Sequence, residues 1–221
     1  MKKIIFIATV LAADLFASSF VQAQGTLYVS NLGQTPTGSA AIGSDAWVAQ
    51  TVFTGTNPGG YMLNSVHLLM NAASGTPSGF AVSIYSKTGD PYRFNIPGDS
   101  PQSSLGSLNG SDPVTGGIFT YTTSGIMLLP SAWYFVVVTA TAPVIQGAYD
   151  WSAANGVTTG DRWSIQNSYF SSADGSNWTW QPRQDVFQMA INVTAVPEPG
   201  TLALAGLSMA CLTFWRRRQE K

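Results

Sequence analysis

A single cysteine and a single histidine occur in the 221 residues, and between residues 24 and 196 there is no glutamate. Each scarcity closes off a class of chemistry. The cysteine, Cys211, falls near the C-terminus, so the middle of the chain has neither disulfide nor thiol and must be stabilised by packing. His67 has no second histidine or cysteine with which to hold a zinc-type ion. A Ser-His-Asp arrangement would have to use it, and no Gly-x-Ser-x-Gly elbow is present. Without glutamate, a glycosidase would need two of the eight aspartates of this region placed across a sugar, and no spacing singles out such a pair. Positive charge is equally sparse. Lys87, Arg93, Arg162 and Arg183 against eight aspartates leave residues 24–196 at a net charge of −4. A phosphate backbone demands clustered lysine and arginine, so no nucleic-acid partner is expected. Asp90, Asp99, Asp112, Asp161 and Asp174 stand in Gly- or Asn-rich stretches. They lack the repeating spacing of a calcium loop and read as turn formers. No catalytic residue, metal site or cofactor is expected.

What is present begins at the ends. Lys2 and Lys3 precede an apolar run from Ile4 to Ala13, and small residues follow at Val21-Gln22-Ala23. This is the three-part layout of a secretory signal peptide cleaved after Ala23, with a run too short to span a membrane. Signal peptidase and the secretion machinery are then the first partners. At the other end, Pro197-Glu198-Pro199-Gly200 forms a rigid, helix-breaking junction. Thr201 to Trp215 carries no charge over fifteen residues, and Arg216, Arg217 and Arg218 follow. A helix of that length rises about 22 Å against a hydrocarbon core about 30 Å thick, so snorkelling arginines and local thinning must cover the difference. Arginines on the cytoplasmic side put residues 24–196 on the outer side.

The order Pro197-Glu198-Pro199, short apolar helix, Arg216-Arg217-Arg218 resembles the PEP-CTERM sorting signal of Gram-negative bacteria. The resemblance implies recognition by an exosortase-type membrane protease, cleavage near the Pro-Glu-Pro motif, and passage from an inner-membrane intermediate to the cell surface or extracellular matrix. Members of that family often come from bacteria that make exopolysaccharide and form biofilm. The chain therefore divides into a signal peptide (1–23), an extracellular domain (24–196) and a sorting signal (197–221).

The middle is rich in Gly, Ser, Thr, Asn and aromatics, a composition of short strands and turns. Period-two alternation predicts strands at Leu27–Ser30, Trp47–Thr54, Tyr61–Met70, Phe80–Ser86, Ile118–Thr122, Ile126–Leu129 and Phe187–Thr194. Trp133–Thr139 is apolar on both faces and should be the central buried strand. Residues 31–43 and 95–117 read mostly as loop. Eight or nine strands without a helix predict an all-β, two-layer antiparallel β-sandwich, jelly-roll-like. The region also resembles the choice-of-anchor type R surface domains, on Trp47 to Phe53 with Thr54-Gly55, on Val82-Ser83-Ile84-Tyr85, on Leu129-Pro130-Ser131-Ala132-Trp133-Tyr134, and on Tyr149 with Trp151. That resemblance implies an extracellular β domain with no settled activity.

Aromatics crowd one stretch: Tyr149, Trp151, Trp163, Tyr169, Phe170, Trp178 and Trp180, interleaved with amides and aspartates. A ring can stack on the apolar face of a pyranose while amides bond its hydroxyls, so Tyr149, Trp151, Trp163, Trp178 and Trp180 are candidate carbohydrate-binding residues. The same rings would also pack a sandwich core. Three functions stay open: a non-catalytic surface or matrix protein associated with extracellular polysaccharide, a carbohydrate-binding module, and a hydrolase acting on polysaccharide.

Overall fold

The computed structural model describes residues 25–87, 100–156, 158–160, 162–182, 185–198 and 200. The signal segment 1–23, Pro199, the apolar segment 201–215 and Arg216, Arg217 and Arg218 lie outside the described residues, as do Asp90, Asp99 and Asp161.

Fifteen strands form among the described residues. The first five are β1 (Thr26–Ser30), β2 (Pro36–Ile42), β3 (Trp47–Phe53), β4 (Tyr61–Gly75) and β5 (Ala81–Lys87). Then come β6 (Pro101–Leu108), β7 (Gly117–Thr122), β8 (Met127–Leu128), β9 (Trp133–Thr139) and β10 (Gly147–Asn155). The last are β11 (Thr158–Gly160), β12 (Trp163–Ser172), β13 (Thr179–Pro182), β14 (Asp185–Phe187) and β15 (Met189–Ala195). They make two antiparallel sheets. The first runs β1-β15-β4-β10-β14, with β2 beside β10 and with β7 and β8 beside β4. The second runs β11-β12-β3-β9-β5-β6, with β13 beside β12. With eight and seven strands, the sheets exceed the eight strands of a plain jelly roll.

Alternation explains most of the core. Leu63, Val66, Leu68 and Met70 of β4 and Met189, Ile191 and Val193 of β15 point inward from the first sheet. Val48 and Val52 of β3, Val82 and Ile84 of β5, and Val136 and Val138 of β9 meet them from the second. Fully burying one such side chain stabilises a fold by about 1.5–3 kcal/mol. β9 is buried on both faces, as expected, because Phe135 and Val137 join Ala49 and Phe170 in a smaller cluster on the outer face, with Trp47, Tyr85 and Trp178 against it.

Two stretches singled out in the sequence meet at one point. Thr54 Oγ1 donates to the Leu129 carbonyl at 2.7 Å and accepts from the Ala132 N–H at 2.9 Å. The Ser131 N–H donates to the Gly55 carbonyl at 2.7 Å. Ser131 holds φ 51° to make this possible.

Three expectations are corrected. Residues 31–43 contain β2, and residues 95–117 contain β6. Both strands are largely exposed along Ser-, Thr- and Gly-containing sequence, so neither shows an apolar period. The final strand is split at Gln188, which belongs to neither β14 nor β15. Buried Asn31 bridges that break: its Nδ2 donates to the Phe187 carbonyl at 3.1 Å, and its Oδ1 accepts from the Met189 N–H at 2.7 Å.

Candidate functional site

The five candidate aromatics do not form one surface. Tyr149, Trp151 and Trp163 are fully buried, so of the two roles open to them in the sequence these three pack the core and offer no carbohydrate-binding face. Tyr149 donates its hydroxyl to Asp112 Oδ2 at 2.7 Å and meets Phe80 edge-on. Burial first, and then the hydrogen bond to Asp112, raise its pKa above the ordinary tyrosine value. Trp151 stacks on Phe187 at 4.6 Å and donates Nε1 to the Gln188 carbonyl at 3.1 Å. Trp163 packs against Tyr28 and Tyr61. The cause is strand parity: these three rings sit at positions whose side chains face the opposite sheet.

Trp178 and Trp180 are placed differently. Phe170 pairs with Trp180 on one side and with Ala49 on the other, and Ala49 pairs with Val137. Directly paired residues share a face, so Trp180 stands on the outer face of the second sheet, at 52 % exposure. Trp178, two residues earlier and half-buried, makes an edge contact with Trp47 at 6.4 Å. Trp47 was not among the sequence candidates, although the apolar outer face of β9 signalled that something must cover that side.

Beside Trp178, a groove of about 590 Å3 runs between β2 and the β12–β13 hairpin, lined by Trp47, Tyr169, Asp45, Asp174, Asn177 and Thr179 among others. Its carboxylates are committed to nearby backbone and side-chain donors. Asp45 Oδ1 accepts from the Val144 N–H at 2.8 Å. Asp174 Oδ1 accepts from the N–H groups of Ser176 and Asn177 at 2.8 and 2.9 Å, and its Oδ2 accepts from Asn177 Nδ2 at 2.8 Å. The Asn177 and Ser176 backbone bonds, the largest of several hydrogen bonds, hold this carboxyl well below the usual aspartate range. Asp174 is thus a turn former whose carboxyl is engaged by its own turn.

On the outer face of the first sheet, His67 floors an open groove of about 1020 Å3. Its Nδ1 lies 2.8 Å from Thr120 Oγ1 and its Nε2 lies 2.8 Å from Asn192 Nδ2, with Ser65 Oγ farther off at 3.3 Å. An amide nitrogen only donates, so this network assigns Nε2 as acceptor and puts the proton on Nδ1. No carboxylate occupies the third position of a Ser-His-Asp array, since Thr120 stands there. Burial lowers the His67 pKa. The folded value lies below the unfolded one, so stability is complete above about pH 6.5 and declines as pH falls through the folded value. A thermal midpoint that drops as pH falls below about 6.5, and a smaller drop in His67→Gln, are the expected results of a pH series read by circular dichroism.

Among the described residues no group of three His, Cys, Asp or Glu could hold a metal ion. Nor is any helix among them long and apolar enough to cross a membrane. β15 ends at Ala195, and the Val196 N–H donates to the Gly60 carbonyl at 3.0 Å. Pro197 and Glu198 beyond it are exposed.

Residues 195–218 match the PEP-CTERM protein-sorting motif. No curated protein and no solved structure matches the chain. The PEP-CTERM match starts on the last residue of β15, so folded domain and sorting signal abut with no separate linker. The PEP-CTERM motif is a signal of exported proteins processed at the membrane, and exosortase is the protease that recognises it.

Proposed function

We propose that this chain is a non-catalytic surface or extracellular-matrix protein of a Gram-negative bacterium, delivered by exosortase and associated with exopolysaccharide, envelope or biofilm. The observation that carries this reading is the PEP-CTERM motif fused directly to the final core strand. It makes the whole β-sandwich the delivered cargo. The resemblance of that sandwich to choice-of-anchor type R domains accords with such a role. Asp174 is engaged by its own turn and His67 by hydrogen bonds at both ring nitrogens.

A carbohydrate-binding module is the second reading, favoured by the exposed Trp180 beside the Trp47–Trp178 pair and by the amide- and carboxylate-lined groove next to them. A ring face with adjacent hydrogen-bonding groups is what a pyranose needs. Polysaccharide pull-down with residues 24–196 and with a Trp178→Ala, Trp180→Ala double variant tests both. Saturable binding that weakens about tenfold or more in a folded variant, equivalent to about 1.4 kcal/mol, supports recognition through this face. Failure to bind any envelope or matrix polysaccharide would sink both the module and the exopolysaccharide association, leaving a protein-contacting surface domain.

A further inference from the structure

The turn between β3 and β4 holds the end of the folded domain. Asn57 Nδ2 donates to the Gly60 carbonyl at 2.6 Å and to the Val196 carbonyl at 2.9 Å. The Val196 N–H donates to the Gly60 carbonyl, and the Gly60 N–H donates to the Asn57 carbonyl at 2.8 Å. Gly60 has φ +74°, a conformation that glycine adopts without strain. A Cβ on Gly59 would overlap the Val196 carbonyl oxygen, so only glycine permits this approach. The turn is itself rooted in the core: the Asn57 N–H donates to the Tyr61 hydroxyl at 3.0 Å, and the buried Tyr61 ring packs edge-on against Trp163 at 4.9 Å. Both backbone groups of Val196 are therefore tied down, whereas Pro197 has no N–H to tie and is exposed with Glu198.

We propose that the Asn57–Gly60 turn positions the processing step, confining cleavage to peptide bonds after Val196 and presenting Pro197 and Glu198 to the protease. This rests on the exosortase reading above. Upstream of Val196, the β15 backbone is paired with β4 as far as Ala195 and with β1 from Ala190 to Val193. A protease that takes its substrate as an extended strand needs those same N–H and C=O groups unpaired. Downstream, only the four residues from Pro197 to Gly200 precede the apolar segment that starts at Thr201, a span of at most about 14 Å. The turn sets that gap, because slack at Val196 would add strand residues to it. In the step itself, the scissile C–N bond breaks and the acyl carbon passes to the oxygen of water or the nitrogen of an acceptor amine. The nucleophile's proton goes to the amine of the departing tail.

The test is the C-terminal residue of the processed protein, read by intact mass from the native host, with the rate of tail loss followed by pulse-chase. Wild type should give ends at Val196 or later. Asn57→Ala, which removes the side-chain ties, and Gly59→Ala, which pushes the Val196 carbonyl away, should each spread the ends upstream into β15 and hasten tail loss. Val138→Ala, a core truncation on the other sheet, controls for lost stability and should keep the wild-type ends. An insertion of Gly-Ser-Gly-Ser between Val196 and Pro197 leaves the turn intact and should also keep every end after Val196, which provides a test if the turn variants do not fold. Wild-type or insertion ends upstream of Val196, turn variants that fold and match wild type, or a control that reproduces the turn variants would each overturn the proposal. A wild-type tail that is never cut would instead remove the sorting reading, and the inference with it.

Discussion

Trp151→Ala is expected to lower the unfolding free energy of the domain by about 3–5 kcal/mol, the range for truncating a buried aromatic to alanine. The indole is fully buried between the sheets, stacked on Phe187 with an interplanar angle of 21°. Its strand pairs with β4 through Met70 and with β2 through Ala40, so the void opens where three strands meet. The Gln188 carbonyl also loses the indole N–H, keeping the Leu69 N–H at 3.0 Å as its remaining donor. A domain of this kind is stable by about 5–15 kcal/mol. No disulfide restrains its unfolded state, because residues 24–196 contain no cysteine. A loss of this size therefore takes a large share of the total. The companion measurement is Trp180→Ala, on a half-exposed ring of the outer face, where a change within about 0.5 kcal/mol is expected. Urea titrations of the two variants separate core aromatics from surface aromatics directly. A Trp151→Ala cost below about 1 kcal/mol would contradict the packing described for that ring.

The contrast between those two tryptophans marks how far the fold and site were legible in the sequence. β9 coincides with the run read from Trp133 to Thr139, and β5 and β15 lie within two residues of theirs, because apolar residues faced one side at period two or filled both sides. β2 and β6 were not legible. Their exposed serines, threonines and glycines carry no apolar signal, and a strand held mainly by its ladder bonds then looks like a loop. The aromatic cluster misled for a different reason. Closeness in sequence brought Tyr149, Trp151 and Trp163 together, yet β10 and β12 belong to opposite sheets and all three rings face inward. The alternation Tyr149-Asp150-Trp151 was already that of a half-buried strand, with the rings on the buried side. Trp178 and Trp180 stand close together in sequence, but their neighbour Trp47 lies far off in the chain. Only the pairing of β12 with both β3 and β13 brings it beside them.

The other large effect lies in the tail and should leave the domain untouched. Replacing Pro197, Glu198 and Pro199 with alanine, or Arg216, Arg217 and Arg218 with alanine, is expected to abolish processing while the unfolding transition of the domain stays at its wild-type midpoint. The physical basis is the sharp boundary at Val196: Met189 to Ala195 pair with β4 along its first eight residues, whereas Pro197 and Glu198 are exposed and contribute no core packing. On the proposed sorting reading the arginine triplet would act through the bilayer. As a helix, a fifteen-residue apolar segment would fall about 8 Å short of a 30 Å hydrocarbon core, so its basic end would have to both snorkel and fix the orientation. Fractionation with intact-mass measurement distinguishes the outcomes. Full-length protein retained in the inner membrane in both variants, beside a shortened wild-type product, is the expected pattern. A wild-type chain that keeps its tail would instead make the apolar segment a permanent anchor. The Pro-Glu-Pro residues would then be a plain helix stop, because a proline pair breaks a helix whether or not a protease reads it.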